Sequence, residues 1–151
     1  MSSLLESKDL LRQVVMIQRF AVLATQQKER PYINLITFAA SDDLAYILFA
    51  TSRNTQKYRN ILANRKVALL IDSRDNKPSD FSKAVAITAL GLASEVTEDE
   101  KDKLVEHYLN RHPTLTKFIH RPETALIRVK VNEYILARFE RVERIQVNEK
   151  S

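Results

Sequence analysis

The chain alternates between short uninterrupted apolar runs and longer stretches in which apolar residues recur at helical spacing. Leu10, Leu11, Val14, Val15 and Gln18 share one helical face across residues 7–18, and Ser7 is placed to cap that helix. Residues 20–25 (FAVLAT) predict a strand, residues 26–30 a polar tip, and residues 32–40 (YINLITFAA) a second strand after Pro31. Ser41, Asp42 and Asp43 signal a turn into a third strand, residues 44–50 (LAYILFA). Strands joined by short polar tips predict an antiparallel meander. A short helix is expected over residues 54–64, with Tyr58, Ile61 and Leu62 facing inward. Residues 67–71 (VALLI) predict a fourth strand, and a polar loop over 72–83 leads into a long strand over 84–96. Thr97, followed by Glu98, Asp99 and Glu100, opens a helix that should run to about Arg111, where His112 and Pro113 stop it. Residues 124–131 predict a sixth strand. Residues 134–147 are assigned to a strand as well, although Phe139, Val142 and Ile145 recur every third position.

The strands are apolar on both faces. In residues 32–40 one face holds Tyr32, Asn34, Ile36 and Phe38, the other Ile33, Leu35, Thr37 and Ala39. An antiparallel sheet with two dry faces must curl into a barrel, carry helices outside, or pair with a second copy, and all three are expected here. The order helix, three strands, helix, two strands, helix, two strands is an α+β pattern built on a mostly antiparallel barrel with peripheral helices.

Composition narrows the function classes. A length of 151 residues, 44% hydrophobic and 28% charged, suits a single folded domain over 1–151. Glu6, Lys8, Asp9 and Arg12 interrupt any secretory leader, and the longest mostly apolar run, residues 84–93, is about half of what a membrane helix needs. No membrane partner is expected, and a cytoplasmic location follows by default. The absence of Cys excludes disulfides, thiolate metal sites and Cys nucleophiles. A single Gly excludes the G-x-G-x-x-G fingerprint.

The net charge of +5 is unevenly placed. Between Asp43 and Asp72 there is no acidic residue, while Arg53, Lys57, Arg59, Arg65 and Lys66 all fall in that gap. Residues 49–64 leave a strand and enter a helix whose first turn holds Thr55, Gln56 and Lys57. A helix start exposes unpaired N–H groups and a partial positive charge, so lysine is electrostatically wrong there unless an outside anion binds. Thr51, Ser52 and Thr55 add hydroxyl donors, and such a set suits a phosphate monoester. The simpler alternative is that Asn54 or Thr55 caps the helix while Arg53 and Lys57 point into solvent.

The spacing T51-x-x-x-T55-x-K57-x-x-N60-x-x-x-N64-x-x-V67-x-L69, after FAVLAT and a Pro31-led strand, resembles the pyridoxamine 5′-phosphate oxidase-like FMN-binding split barrels. The resemblance in layout covers nearly the whole chain, and its sequence signal sits mainly in residues 20–71. It implies an α+β split β-barrel, a homodimer, and FMN bound at the subunit interface. Carried over, it places the FMN phosphate on Thr51, Thr55 and Lys57, with Gln56 where the oxidases have Arg; Ser52 joins the cofactor-binding set as a further hydroxyl donor. Asn34 and the backbone around Ile36 and Thr37 would line the ribityl chain and the isoalloxazine ring. The oxidases proper have Arg at the position of Asn34 and Lys at that of Ala39, and a C-terminal Trp, Arg and His signature that this chain lacks. These departures tell against oxidation of pyridoxamine phosphate itself, and the chain looks closer to the general-stress-protein-like or uncharacterised branches. The reading is a flavin-dependent oxidoreductase of an unidentified small molecule. The alternatives are a deazaflavin- or haem-binding relative, and a non-catalytic flavin- or nucleic-acid-binding module.

No other motif competes. His107 and His112 are five apart, the wrong spacing for two ligands on one helix face, so no metal site is expected; His112 and His120 matter only to a haem reading. No Ser or Thr sits in G-x-S-x-G. The 98–111 helix carries its charges on a solvated face. Arg138, Arg141 and Arg144 should pair with Glu140 and Glu143, the sharper alternative being reach to a neighbouring subunit's cofactor or an anionic substrate. Basic residues interleaved with few aromatics beyond Tyr58 disfavour nucleic acid.

Overall fold

A computed structural model describes residues 2–147. The order of elements is α1 (Ser2–Ile17), β1 (Phe20–Gln27), β2 (Arg30–Thr37), β3 (Ala39–Ala40), β4 (Tyr46–Ser52), α2 (Gln56–Ala63), β5 (Lys66–Asp72), α3 (Asp80–Lys83), β6 (Ala86–Glu95), α4 (Glu98–Arg111), α5 (Thr116–Ile119), β7 (Thr124–Arg138) and β8 (Arg141–Gln146). A 3₁₀ turn over Pro113–Leu115 joins α4 to α5.

The strands form one antiparallel sheet in the order β2-β1-β5-β6-β7-β4-β3, with β8 pairing β7 outside that path. Its two ends, β2 and β3, are consecutive in the chain and separated only by Phe38. The sheet therefore has to curl until its ends approach, and β2 lies beside β4 without pairing to it. This is a split barrel, and it refines the expected meander. Residues 32–40 are not one strand: Phe38 is buried, its N–H donates to the Arg19 carbonyl, and the chain passes there from β1 to β4 as partner. The backbone of β7 comes close at Gly91, beside a register shift between β6 and β7. A Cβ there would collide with the Lys130 carbonyl oxygen, so the one glycine of the chain stands where no side chain fits.

Alternation sorts the strand residues. Leu23, Ile36, Phe49, Leu69, Ile87 and Ile127 fill the barrel with Val14 and Val15 of α1. The outer face of β4 and β7 offers Leu48 and Leu126 to Leu104, Val105 and Tyr108 of α4. The outer face of β1, β2 and β5 has no such cover.

Three expectations are corrected. Ser7 does not cap α1, which begins at Ser2; it lies buried inside the helix and its hydroxyl donates to the Glu143 carboxylate. Residues 134–147 are two strands, because β7 runs on to Arg138 and turns at Glu140, whose φ is 58°, into β8. The three-residue recurrence of Phe139, Val142 and Ile145 straddles that turn. Leu62 faces solvent rather than inward, whereas Ile61 is buried and Tyr58 packs against the core. The arginine pairing holds with one change of partner: Arg138 and Arg141 bind Glu143, and Arg144 binds Glu133.

Candidate functional site

The end of β4 and the start of α2 meet in a polar corner. Thr55 is the N-cap of α2, its Oγ1 accepting from the Tyr58 N–H at 3.3 Å and donating to the Ser52 carbonyl at 2.8 Å. Thr51 Oγ1 lies 2.9 Å from Thr55 Oγ1 and 3.3 Å from the same Ser52 carbonyl, so the two hydroxyls and that carbonyl form one closed set. Both threonines are satisfied within the corner. Ser52 Oγ accepts from the Asn54 N–H at 3.2 Å, which leaves its own proton uncommitted. Asn60 and Asn64 fix the helix to the barrel: Asn60 donates to the buried Thr25 hydroxyl at 3.0 Å and Asn64 to Gln26 at 2.8 Å. Gln56 is spent on its own helix, donating to Asn60 and accepting from Arg59.

Among the described residues, Lys57 has no ion pair or hydrogen bond. Its ammonium is partly buried, and desolvation holds its pKa below the usual lysine range. The backbone N–H groups of Gln56 and Lys57, in the first turn of α2, also lack acceptors. Four donors without acceptors among the described residues therefore lie along one strand-to-helix passage: the Ser52 hydroxyl, two amides and the Lys57 ammonium. An anion would complete them.

Arg53 is not among them. Its Nη2 meets Glu95 Oε2 at 2.5 Å, and Tyr58 Oη donates to the other Glu95 oxygen at 2.6 Å. The Arg53 guanidinium beside it, with the tyrosine hydroxyl, holds the Glu95 carboxyl below the ordinary range. The acid-free run of the sequence is thus not acid-free in space. Glu95 ends β6 and reaches the corner because β7 pairs with both β6 and β4. Its only sequence signal was a lone acid at a strand end.

Across the split stands β2. Asn34 and Ile36 point to the barrel interior, where Asn34 pairs with Leu23 in register. The Asn34 side-chain oxygen is buried without a hydrogen-bond partner, which is costly unless a ligand supplies one. Because β2 is an edge strand, backbone N–H and C=O groups between Asn34 and Thr37 face the split unpaired. Thr37 points the other way, its hydroxyl 2.8 Å from Tyr108 Oη. Behind the Phe38 pivot, His112 Nε2 lies 2.6 Å from the Phe38 carbonyl, so that nitrogen carries the proton. Burial keeps this imidazole below its usual 6.5. Tyr108 of α4 and His112, the C-cap of that helix, fix the bend behind β2. The sequence reading gave Tyr108 no role and His112 only that of helix stop or haem candidate.

No cluster of His, Cys, Asp or Glu suited to a metal ion occurs among the described residues, and no helix there is long and apolar enough to cross a membrane. His107 and His120 each bond a backbone carbonyl, of Ala40 and Thr116.

No curated protein matches the chain. Among solved structures it is similar to a haem-binding protein from Mycobacterium smegmatis, at a TM-score of 0.83 and 14% identity, over 93% of this chain and 57% of that one. It is also similar to General Stress Protein 26 from Bacillus anthracis (TM-score 0.71, 21% identity, 93% of this chain and 98% of that one). An FAD-binding protein from Mesorhizobium loti follows at a TM-score of 0.67 and 16% identity, over 86% and 90%. At these identities the likeness concerns the fold. The sequence itself matches the family model described as pyridoxamine 5′-phosphate oxidase over residues 7–137, which takes in the α2 corner, the split and β2 together. The chain belongs to the pyridoxamine 5′-phosphate oxidase family.

Proposed function

We propose that this protein binds FMN in the split between β2 and β4 and acts as a flavin-dependent oxidoreductase of a small molecule. The observation that carries the reading is Lys57, a partly desolvated ammonium without a counter-ion at the start of α2. Ser52, Lys57 and the first-turn amides of α2 would hold the phosphate, and Thr51 and Thr55 would shape the corner beneath it. Gln56, already bonded to Asn60, would contribute its backbone N–H rather than its side chain. Asn34, with an unpartnered oxygen, and the edge backbone at Ile36 and Thr37 would meet the polar edge of the ring system. Bound there, the flavin supplies hydride transfer at its ring, while the protein binds, orients and excludes water.

The same reading calls for a second copy of the chain. Ile33 and Leu35 on β2 are 67% and 68% exposed. In register, Leu35 lies next to Val22 and Val22 next to Leu70, an apolar stripe on the uncovered outer face. A homodimer would bury it and place the flavin at the subunit interface, with the cytoplasm as the simplest setting.

An absorption spectrum of the purified protein, followed by titration with FMN and riboflavin, tests the reading. Lys57→Ala is expected to weaken FMN about 10- to 100-fold, the worth of a charge-assisted contact, and to leave riboflavin binding unchanged. FMN binding undiminished in that variant would remove the phosphate from this corner. A haem Soret band in place of flavin absorption would favour the function named for the Mycobacterium relative.

A further inference from the structure

Helix α4 turns polar as well as apolar side chains toward the barrel. Leu104 and Val105 pack on the outer face of β4 and β7, as an amphipathic helix requires. Further along, the helix spends its polar groups on backbone. His107 donates to the Ala40 carbonyl at 2.9 Å, His112 to the Phe38 carbonyl at 2.6 Å, and Arg111 to the Ile17 carbonyl at 2.8 Å. These bonds fix the link from α1 to β1 and the link from β2 to β3, which meet where the Phe38 N–H donates to the Arg19 carbonyl.

Tyr108 does something different. Its ring is fully buried in the cluster that holds Leu48 and Leu126, and it tilts against the His112 imidazole with centroids 5.1 Å apart. Its hydroxyl lies 2.8 Å from Thr37 Oγ1, on β2. Burial raises the tyrosine's pKa, while the Thr37 hydroxyl and the Ala50 N–H of β4 each act against that rise. One phenol oxygen therefore faces groups from both strands that border the split.

Those two strands do not pair with each other. Along its length β2 is held by β1 alone, and its other edge is the one that carries unpaired backbone toward the split. Among the described residues, the contact with Tyr108 is the one hydrogen bond that a β2 side chain makes with another part of the chain. The width of the split at this end is thus set by a side-chain contact, where a closed barrel would use a ladder of backbone bonds.

We infer that Tyr108 is a positioning residue: acting through Thr37, its hydroxyl sets the distance between β2 and β4, and with it the placement of the ring system lying in the split. For the identity of that ring this rests on the FMN reading; the tie between the strands does not depend on it.

Tyr108→Phe, Thr37→Val, the double variant and Thr37→Ser are compared with the parent as full chains, below their unfolding transitions, with FMN and riboflavin as probes. Tyr108→Phe and Thr37→Val should each weaken both flavins about 3- to 10-fold, the worth of one hydrogen bond, and alter the visible circular dichroism of the bound flavin. Equal loss for the two flavins separates this effect from the phosphate corner. A variant that is less stable but still folded would bind as the parent does. The double variant should be no weaker than either single one, and Thr37→Ser, which keeps the hydroxyl, should restore parental binding. Amide hydrogen exchange without flavin is the second readout: β2 should exchange about threefold faster in Tyr108→Phe while α4 stays unchanged. If Tyr108→Phe does not fold, Thr37→Val carries the same expectations. Unchanged affinity and dichroism, a loss confined to FMN, or losses that add in the double variant would each overturn the proposal. A parent that binds neither flavin would end the FMN reading instead. The exchange rates alone then decide: faster exchange in β2 upholds the tie, and equal exchange in parent and variant overturns it.

Discussion

The two outer flanks of the barrel have similar strands and opposite surroundings. On β4 and β7 the outward residues Leu48 and Leu126 are buried beneath α4 and α5. On β2 the outward residues Ile33 and Leu35, no less apolar, lie open. Both flanks carry the same two-sided apolar pattern, so the pattern reports that a face needs cover and not what covers it. On one flank the chain supplies its own helices; on the other, in our reading, a second copy does. The site occupies the boundary, since β2 belongs to the open flank and β4 to the closed one.

The closed flank offers the largest test of this contrast. Leu126→Ala removes a fully buried side chain from between β7 and α4 and should lower unfolding free energy by about 2–5 kcal/mol, read by denaturant titration. A loss of less than about 1 kcal/mol would mean that α4 does not seal this flank.

A smaller effect on the same flank involves pH. Burial depresses the His112 pKa, with the nearby charges of Arg111 and Arg19 acting in the same direction. The unfolded chain, titrating near 6.5, therefore binds the proton more readily than the folded one. Stability from this group is fully present above about pH 6.5 and is lost as pH falls below it toward the depressed native value. His112→Gln should flatten that loss in urea midpoints measured between pH 7.5 and 5. An equally steep loss in the variant would assign the proton uptake to another group.

How much of this was readable in the sequence depends on the range of the interaction. The strand runs and the long α4 helix are local in origin and were visible, and the α2 cap was narrowed to Asn54 or Thr55, of which Thr55 takes the place. The polar corner at the start of α2 is local as well, because Thr51, Ser52, Thr55 and Lys57 lie within one strand-to-helix passage. What escaped was set by register. Glu95 reaches Arg53 across β7, and the split exists because Phe38 transfers the chain from one sheet edge to the other. The hairpin at Glu140 escaped for a different reason: it uses a left-handed residue without the glycine or asparagine that would have announced it.

The open flank carries the smallest effect on folding and the sharpest one on assembly. Leu35→Glu places a charge on a side chain already 68% exposed, so the folding stability of an isolated chain should change by no more than about 0.5 kcal/mol. In a dimer that buries the Leu35–Val22–Leu70 stripe, the same charge would be desolvated without a partner and the assembly should come apart. Sedimentation equilibrium of the parent and the variant at matched concentrations separates the cases. A dimeric parent with a monomeric, folded variant supports the second copy as cover for this flank. An equal mass for both, whether monomer or dimer, means that the stripe is not the interface. If FMN affinity also drops in the monomeric variant while Lys57 is intact, the neighbouring subunit completes the flavin site; if it does not, one split barrel holds the cofactor alone.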